Sequence, residues 1–178
     1  MSLLKTIEPE AAEGVVADVY NEIQELFGFV PNAMRLDSIN PEHMAHHWSA
    51  IRQVLEHPTL SQQLFTTIRL LVSEAQRCDY CIGLNASLLM QMHGMSQEQI
   101  AAITADPGTA PLDDKEKALL LFTLRAVNDS TGTGADDIRK LRQAGASERE
   151  IFDALAHGSQ QVGGDIMLNA FKVEPDMH

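Results

Sequence analysis

Basic residues are scarce in this chain, 13 lysines and arginines against 25 aspartates and glutamates. The formal net charge of −12 leaves no cationic stripe to hold a phosphate backbone, so nucleic acid is not an expected partner. Long apolar runs are missing too. Nothing approaches the roughly 18–20 residues that span a bilayer, and the opening MSLLKTIEPE has no basic region followed by a hydrophobic stretch. The expectation is a cytoplasmic protein without membrane contact. Only two cysteines occur, too few for the disulfide framework of a secreted domain. They stand three apart, as Cys78 and Cys81, a spacing that points to redox or metal chemistry. No GxSxG, HExxH or EF-hand pattern is present, and no stretch alternates convincingly as a strand would.

What the chain does have is helical periodicity over most of its 178 residues, with enough apolar content for one core. Behind Glu8-Pro9-Glu10, a plausible helix start, Val15, Val19, Ile23 and Leu26 recur until Gly28 and Pro31. Asn40-Pro41 has the form of an N-cap with proline at the first helical position, and Met44, Trp48, Ile51 and Leu55 follow. From Ser61, the residues Leu64, Ile68, Leu71 and Ala75 lead into the cysteines, and Cys81, Leu84, Leu88 and Met92 continue to Gly94. Ser96 with Gln99 and Ser147 with Glu150 fit the reciprocal capping box, and Asp113 with Glu116 is a looser version. Residues 118–124 are apolar nearly all round, as in a central helix, while Ile151, Leu155, Val162 and Ile166 mark a long final one. DSTGTGADD reads as a loop. These signals predict one all-α domain, residues 1–178, of about seven or eight helices.

The cysteines carry the chemistry. Their Cβ atoms must come within about 3.5–4.5 Å to form a disulfide, closer than a regular helix gives at that spacing. A helix start or a local distortion between them would solve this. If the Ser61 helix ends near Arg77, both thiols fall in the first turn of the next, where backbone N–H groups and the positive dipole end favour thiolate. Arg77 adds to that effect and Asp79 opposes it. On a continuous helix Glu74 shares a face with both cysteines and is the local candidate base. Tyr80, between the thiols, is a hydrogen-bond donor rather than a base. The bland alternative is two buried, inert cysteines.

His43, His46 and His47 could complete a zinc site with the cysteines, but no spacing links the two groups, so neither metal nor cofactor is expected. GSQQVGGD, residues 158–165, lacks the GK[ST] ending of a phosphate loop and reads as small residues that let helices approach. Met90, Met92 and Met95 read as core filler or an oligomer contact.

A helix leading to GFVPN, then NPEHMAHHW, then HPTLSQQLFTTIRLLVSEAQRCDYCIGLNASLL, a short Ser-capped helix and finally KLRQAGASEREIFDALAHGSQQVGG occur in that order. The order resembles the carboxymuconolactone decarboxylase and alkylhydroperoxidase D superfamily, in its peroxidase-related CxxC branch, over about residues 7–175. The resemblance implies an all-α homo-oligomer, trimer or hexamer, whose dithiol reduces peroxides or serves a thiol electron-transfer chain. It implies Cys81 as the attacking thiol and Cys78 as the resolving one. In that family's motif a glutamate twelve residues before the first cysteine and a histidine four after the second form a proton relay. Here those positions are Thr66 and Asn85, neither of which accepts a proton near neutral pH.

The leading expectation is therefore a CxxC thiol oxidoreductase of alkylhydroperoxidase type, with a peroxide or disulfide substrate, an unidentified thiol reductant, and Cys81, Cys78, Glu74, Tyr80 and Asn85 at its site. Two other readings stand beside it. One is a non-catalytic oligomer that binds a small molecule or a partner. The other is a lactone decarboxylase-type enzyme, with a base drawn from His43–His47.

Overall fold

In a computed structural model the described residues, 2–176, form nine α-helices and three single 3-10 turns, with no strand among them. The all-α expectation holds. Two helices beyond it are short: α2 (Asn32–Asp37) and α8 (Ala135–Gln143) are too brief to repeat an apolar stripe. The start of α8 also takes up the last three residues of the expected DSTGTGADD loop, which is otherwise a 3-10 turn at Ser130–Gly132 and its flanks. Among the described residues no helix is long and apolar enough to cross a membrane.

The chain groups into two compact units, Met1–Glu56 with Leu168–His178, and His57–Met167. The first contains α1 (Gly14–Phe27), α2 and α3 (Pro41–Leu55). Pro9 starts only a 3-10 turn, Pro9–Ala11, and α1 begins later, at Gly14, whose φ of 55° favours glycine. The buried face of α1 is Val16, Val19, Tyr20 and Ile23, so Val15 and Leu26, expected inward, face solvent. Gly28 ends the helix in the left-handed region, as anticipated. Asn40 caps α3 by accepting from His43 N–H at 3.0 Å. Met44 and Trp48 complete this core, and the Trp48 indole N–H donates to Glu22 at 2.7 Å.

In the second unit α4 (Gln62–Gln76) packs mainly against α5 (Asp79–His93) and α7 (Asp114–Asn128), burying Leu64, Phe65, Ile68, Leu70, Leu71 and Val72. Its first turn is fixed twice. Ser61 accepts from Leu64 N–H at 3.0 Å, and Ser61 itself donates its N–H and hydroxyl to the Glu116 carboxylate at 2.6 and 2.7 Å. Glu116 is thus spent on α4 rather than on a reciprocal box with Asp113, which caps α7 alone. The boxes at α6 (Gln97–Ala105) and α9 (Glu148–Ala170) are complete in both directions.

Helix α9 buries Ile151, Ala154, Gly158, Asp165 and Leu168, while Ile166 is exposed, so the inward face is rotated from the expected one. Of the glycines in GSQQVGGD, only Gly158 is a close approach. A Cβ there would stand 2.5 Å from Thr123 Cγ2, whereas Gly163 and Gly164 have open space. In α5 the buried residues are Tyr80, Cys81, Asn85 and Leu89, with Met95 buried just beyond the helix and Met92 exposed.

Candidate dithiol site

The site lies wholly within the second unit, at the break between α4 and α5. Arg77 adopts the left-handed conformation, φ 54° and ψ 46°, and stops α4. Cys78 is then extended, φ −96° and ψ 90°, at the N-cap of α5, and Cys81 lies one turn in. This is the helix start that the spacing allowed for. With Cys78 outside the helix, the two sulfurs need not keep a regular helical separation. Both cysteines are free and buried.

A third group joins them from α9. One carboxylate oxygen of Asp165 and the two sulfurs all lie within 4.8 Å of one another, and all three residues are buried. Asp165 Oδ1 accepts from the Ser73 hydroxyl at 2.9 Å and from the Gln161 amide at 2.8 Å. Oδ2 has no hydrogen-bond partner. Burial holds the Asp165 carboxyl above its ordinary pKa, against the opposing hydrogen bonds from Cys81, Gln161 and Ser73. A carboxyl so perturbed can take and return a proton.

The thiols divide in acidity. Donation from the Cys81 thiol pulls Cys78 down, against burial and helped by the Cys81 backbone N–H at the start of α5. Cys81 is pushed up by the same hydrogen bond, by burial and by Asp165. Cys78 is therefore the first of the pair to ionise. The sulfurs and carboxylate also make a three-donor set for a soft divalent cation, as do Asp37, His43 and His47 in the first unit. His47 Nδ1 lies 2.6 Å from Asp37, and His46 is bonded to the Glu42 carbonyl, so the histidines have local partners.

The break at Arg77 removes the continuous helix on which Glu74 was placed beside the thiols; the carboxylate gathered with them is that of Asp165. Tyr80 is buried in the first turn of α5. Thr66 and Asn85 do come together, through a residue that the spacing did not single out. Arg69 donates from Nε to Asn85 Oδ1 at 2.7 Å and from Nη2 to Thr66 Oγ1 at 2.9 Å. It also donates from Nη1 to His157 Nε2 at 3.3 Å. Asn85 passes the contact on, donating to the Cys81 carbonyl at 2.8 Å. Burial and the nearby Arg69 charge hold His157 down to about 3, so its ring is neutral.

The chain matches no protein-family model and no curated protein. Solved structures do match. An alkylhydroperoxidase AhpD core, an uncharacterized peroxidase-related protein from Ralstonia eutropha JMP134, superposes with a TM-score of 0.85 at 20% identity, covering 98% of this chain and 92% of that one. A peroxidase-related protein from Silicibacter sp. TM1040 gives 0.81 at 20% identity, over 98% and 88%. The fold is that of alkylhydroperoxidase D. The debrominase Bmp8, as a cysteine-to-alanine variant in complex with 2,3,4-tribromopyrrole, shares this alkylhydroperoxidase D fold, with a TM-score of 0.75 at 16% identity over 99% and 94%.

On this fold the site residues that sequence reasoning missed are Asp165, Arg69 and His157. Arg69 did leave a signal, as the one charged residue in the run LFTTIRLLV, residues 64–72. Asp165 left none that hydropathy could separate from an exposed helix position.

Proposed function

We propose that this protein is a dithiol oxidoreductase that reduces a hydroperoxide by two electrons and is reset by an external thiol reductant. The observation that carries the reading is the buried Cys78–Cys81 pair gathered with the buried Asp165 carboxyl. The likeness to peroxidase-related structures supports it. The resemblance in the sequence gives the attack to Cys81, whereas the lowered pKa of Cys78 favours that residue, and the proposal follows the electrostatics.

The Cys78 thiolate attacks the terminal oxygen of the peroxide, the O–O bond breaks, and the leaving alkoxide takes a proton held at Asp165. This leaves a sulfenic acid on Cys78. Cys81 then attacks that sulfur and forms the disulfide, releasing water. The dithiol loses two electrons and the peroxide gains them, giving one alcohol and one water. An incoming dithiol reverses the disulfide by exchange.

The test is consumption of t-butyl hydroperoxide by the reduced protein. Cys78→Ser abolishes it, and Cys81→Ser traps a sulfenic acid on Cys78 that dimedone captures. Peroxide loss unchanged in both variants sinks the proposal, and a sulfenic acid found on Cys81 of Cys78→Ser returns the attack to Cys81. Asp165→Asn separates charge from proton transfer. Removing the negative neighbour lowers the Cys78 pKa, read from thiolate ultraviolet absorbance, while losing the proton carrier slows peroxide reduction by about 10²-fold or more.

A further inference from the structure

Arg69 is a cation surrounded by neutral groups. Its three hydrogen-bond partners are an amide oxygen, a hydroxyl and a neutral imidazole, and no ion pair to it is present among the described residues. His93, which also senses its charge, is held below its usual pKa first by burial and then by Arg69, and it supplies no negative charge. In a chain with 25 acidic residues, a half-buried guanidinium without a carboxylate is a selective omission. A charge withdrawn from water is costly unless an opposite charge meets it. Burial pulls Arg69 down only to about 10, so it remains a cation at neutral pH.

Its donors are not exhausted. A guanidinium has five N–H groups, and the three bonds to Asn85, Thr66 and His157 leave one N–H on each terminal nitrogen. Two N–H groups are the number that one carboxylate accepts in a paired contact. The neutral partners take one N–H from each guanidinium nitrogen, and one side-chain amide, Asn85, stands between it and the Cys81 backbone. The Cys81 thiolate is itself an anion within its field, but the pair's electrostatics place the first negative charge on Cys78.

We infer that Arg69, cradled by Thr66, Asn85 and His157, binds a carboxylate of the substrate, so that the electrophile reduced by the dithiol is a small organic anion. This rests on the dithiol being the reacting group. The two residues that occupy the relay positions then act together, orienting a cation instead of moving a proton.

Alkylation tests this without any need for turnover. Iodoacetate and iodoacetamide attack a thiolate in the same way, but only the first carries a carboxylate. On the reduced native protein, the iodoacetate-to-iodoacetamide rate ratio is expected to exceed that of glutathione by about tenfold or more, the scale of one charge-assisted hydrogen bond. Added acetate lowers the ratio. Arg69→Gln brings it to the glutathione value, and Arg69→Lys keeps part of it. A native ratio equal to that of glutathione, or no alkylation by iodoacetate, overturns the inference without any variant having to fold. A parallel fall of both rates in Arg69→Gln, with the thiol pKa raised, also overturns it by making Arg69 a thiolate stabiliser. A native protein that reduces t-butyl hydroperoxide but shows no excess ratio sinks the anion site alone. A ratio retained in a protein that does not reduce peroxide leaves the anion site and sinks the peroxidase reading.

Discussion

Asp165 and Ile166 are neighbours, and the sequence offers the wrong one of them to the core. Ile166 continues the apolar series from Ile151, yet it is exposed, whereas Asp165 is fully buried and bonded to Ser73 and Gln161. Hydropathy scores side chains singly, so it cannot see that a carboxyl placed inward has its donors waiting, Ser73 on α4 and Gln161 one turn back on α9. His157 was hidden for the same reason. Its burial has a consequence that can be measured. A histidine whose pKa is about 3 in the fold and 6.5 in the unfolded chain leaves the unfolded state binding the extra proton. Stability from His157 is therefore fully present above pH 6.5 and is lost as pH falls from there toward 3. By pH 5 the loss from this one ring is about 2 kcal/mol. His157→Gln, which keeps an acceptor for Arg69 and removes the titration, should flatten this part of a urea-unfolding series against pH. An unchanged slope would place the protonation elsewhere.

At the scale of helices, the capping chemistry was legible and the faces less so. The starts at Asn40, Ser61, Ser96, Asp113 and Ser147 all have the side-chain bonds that their residue types promise. Capping is local, set within four residues, and so can be read from a short window. Which face turns inward depends on what another element brings to it. The break at Arg77 was the exception: a helix start near it was one of two ways to bring the thiols within disulfide reach, and it leaves Cys78 at the N-cap of α5 rather than inside its first turn. Gly158 was foreseen in kind, as a close approach, but its partners were not. Gly158→Ala pushes a methyl group against Thr123, Val127 and Ile68 on α7 and α4, none of them backbone atoms. The expected cost is about 1–3 kcal/mol, visible as a lower urea midpoint with an unchanged m-value. Gly163→Ala and Gly164→Ala meet nothing and, by helix propensity, should stabilise by up to about 1 kcal/mol.

For the molecule as a whole, the periodicity of apolar residues predicted the helical class, and contacts group the chain into two compact units. The division falls inside α9, after Met167, so one continuous helix serves both units. The only tryptophan, Trp48, is a core residue of the first unit, and the only cysteines are in the second. Nature has thus issued each unit its own gauge. Trp48 fluorescence reads the first unit during denaturation, and the exposure of Cys78 and Cys81 to a thiol label reads the second, with no engineered probe. A shared helix that melts as a single element should make the two curves coincide. Curves separated in denaturant would instead mean that the chain stores its cysteine pair in a part whose unfolding can be followed alone.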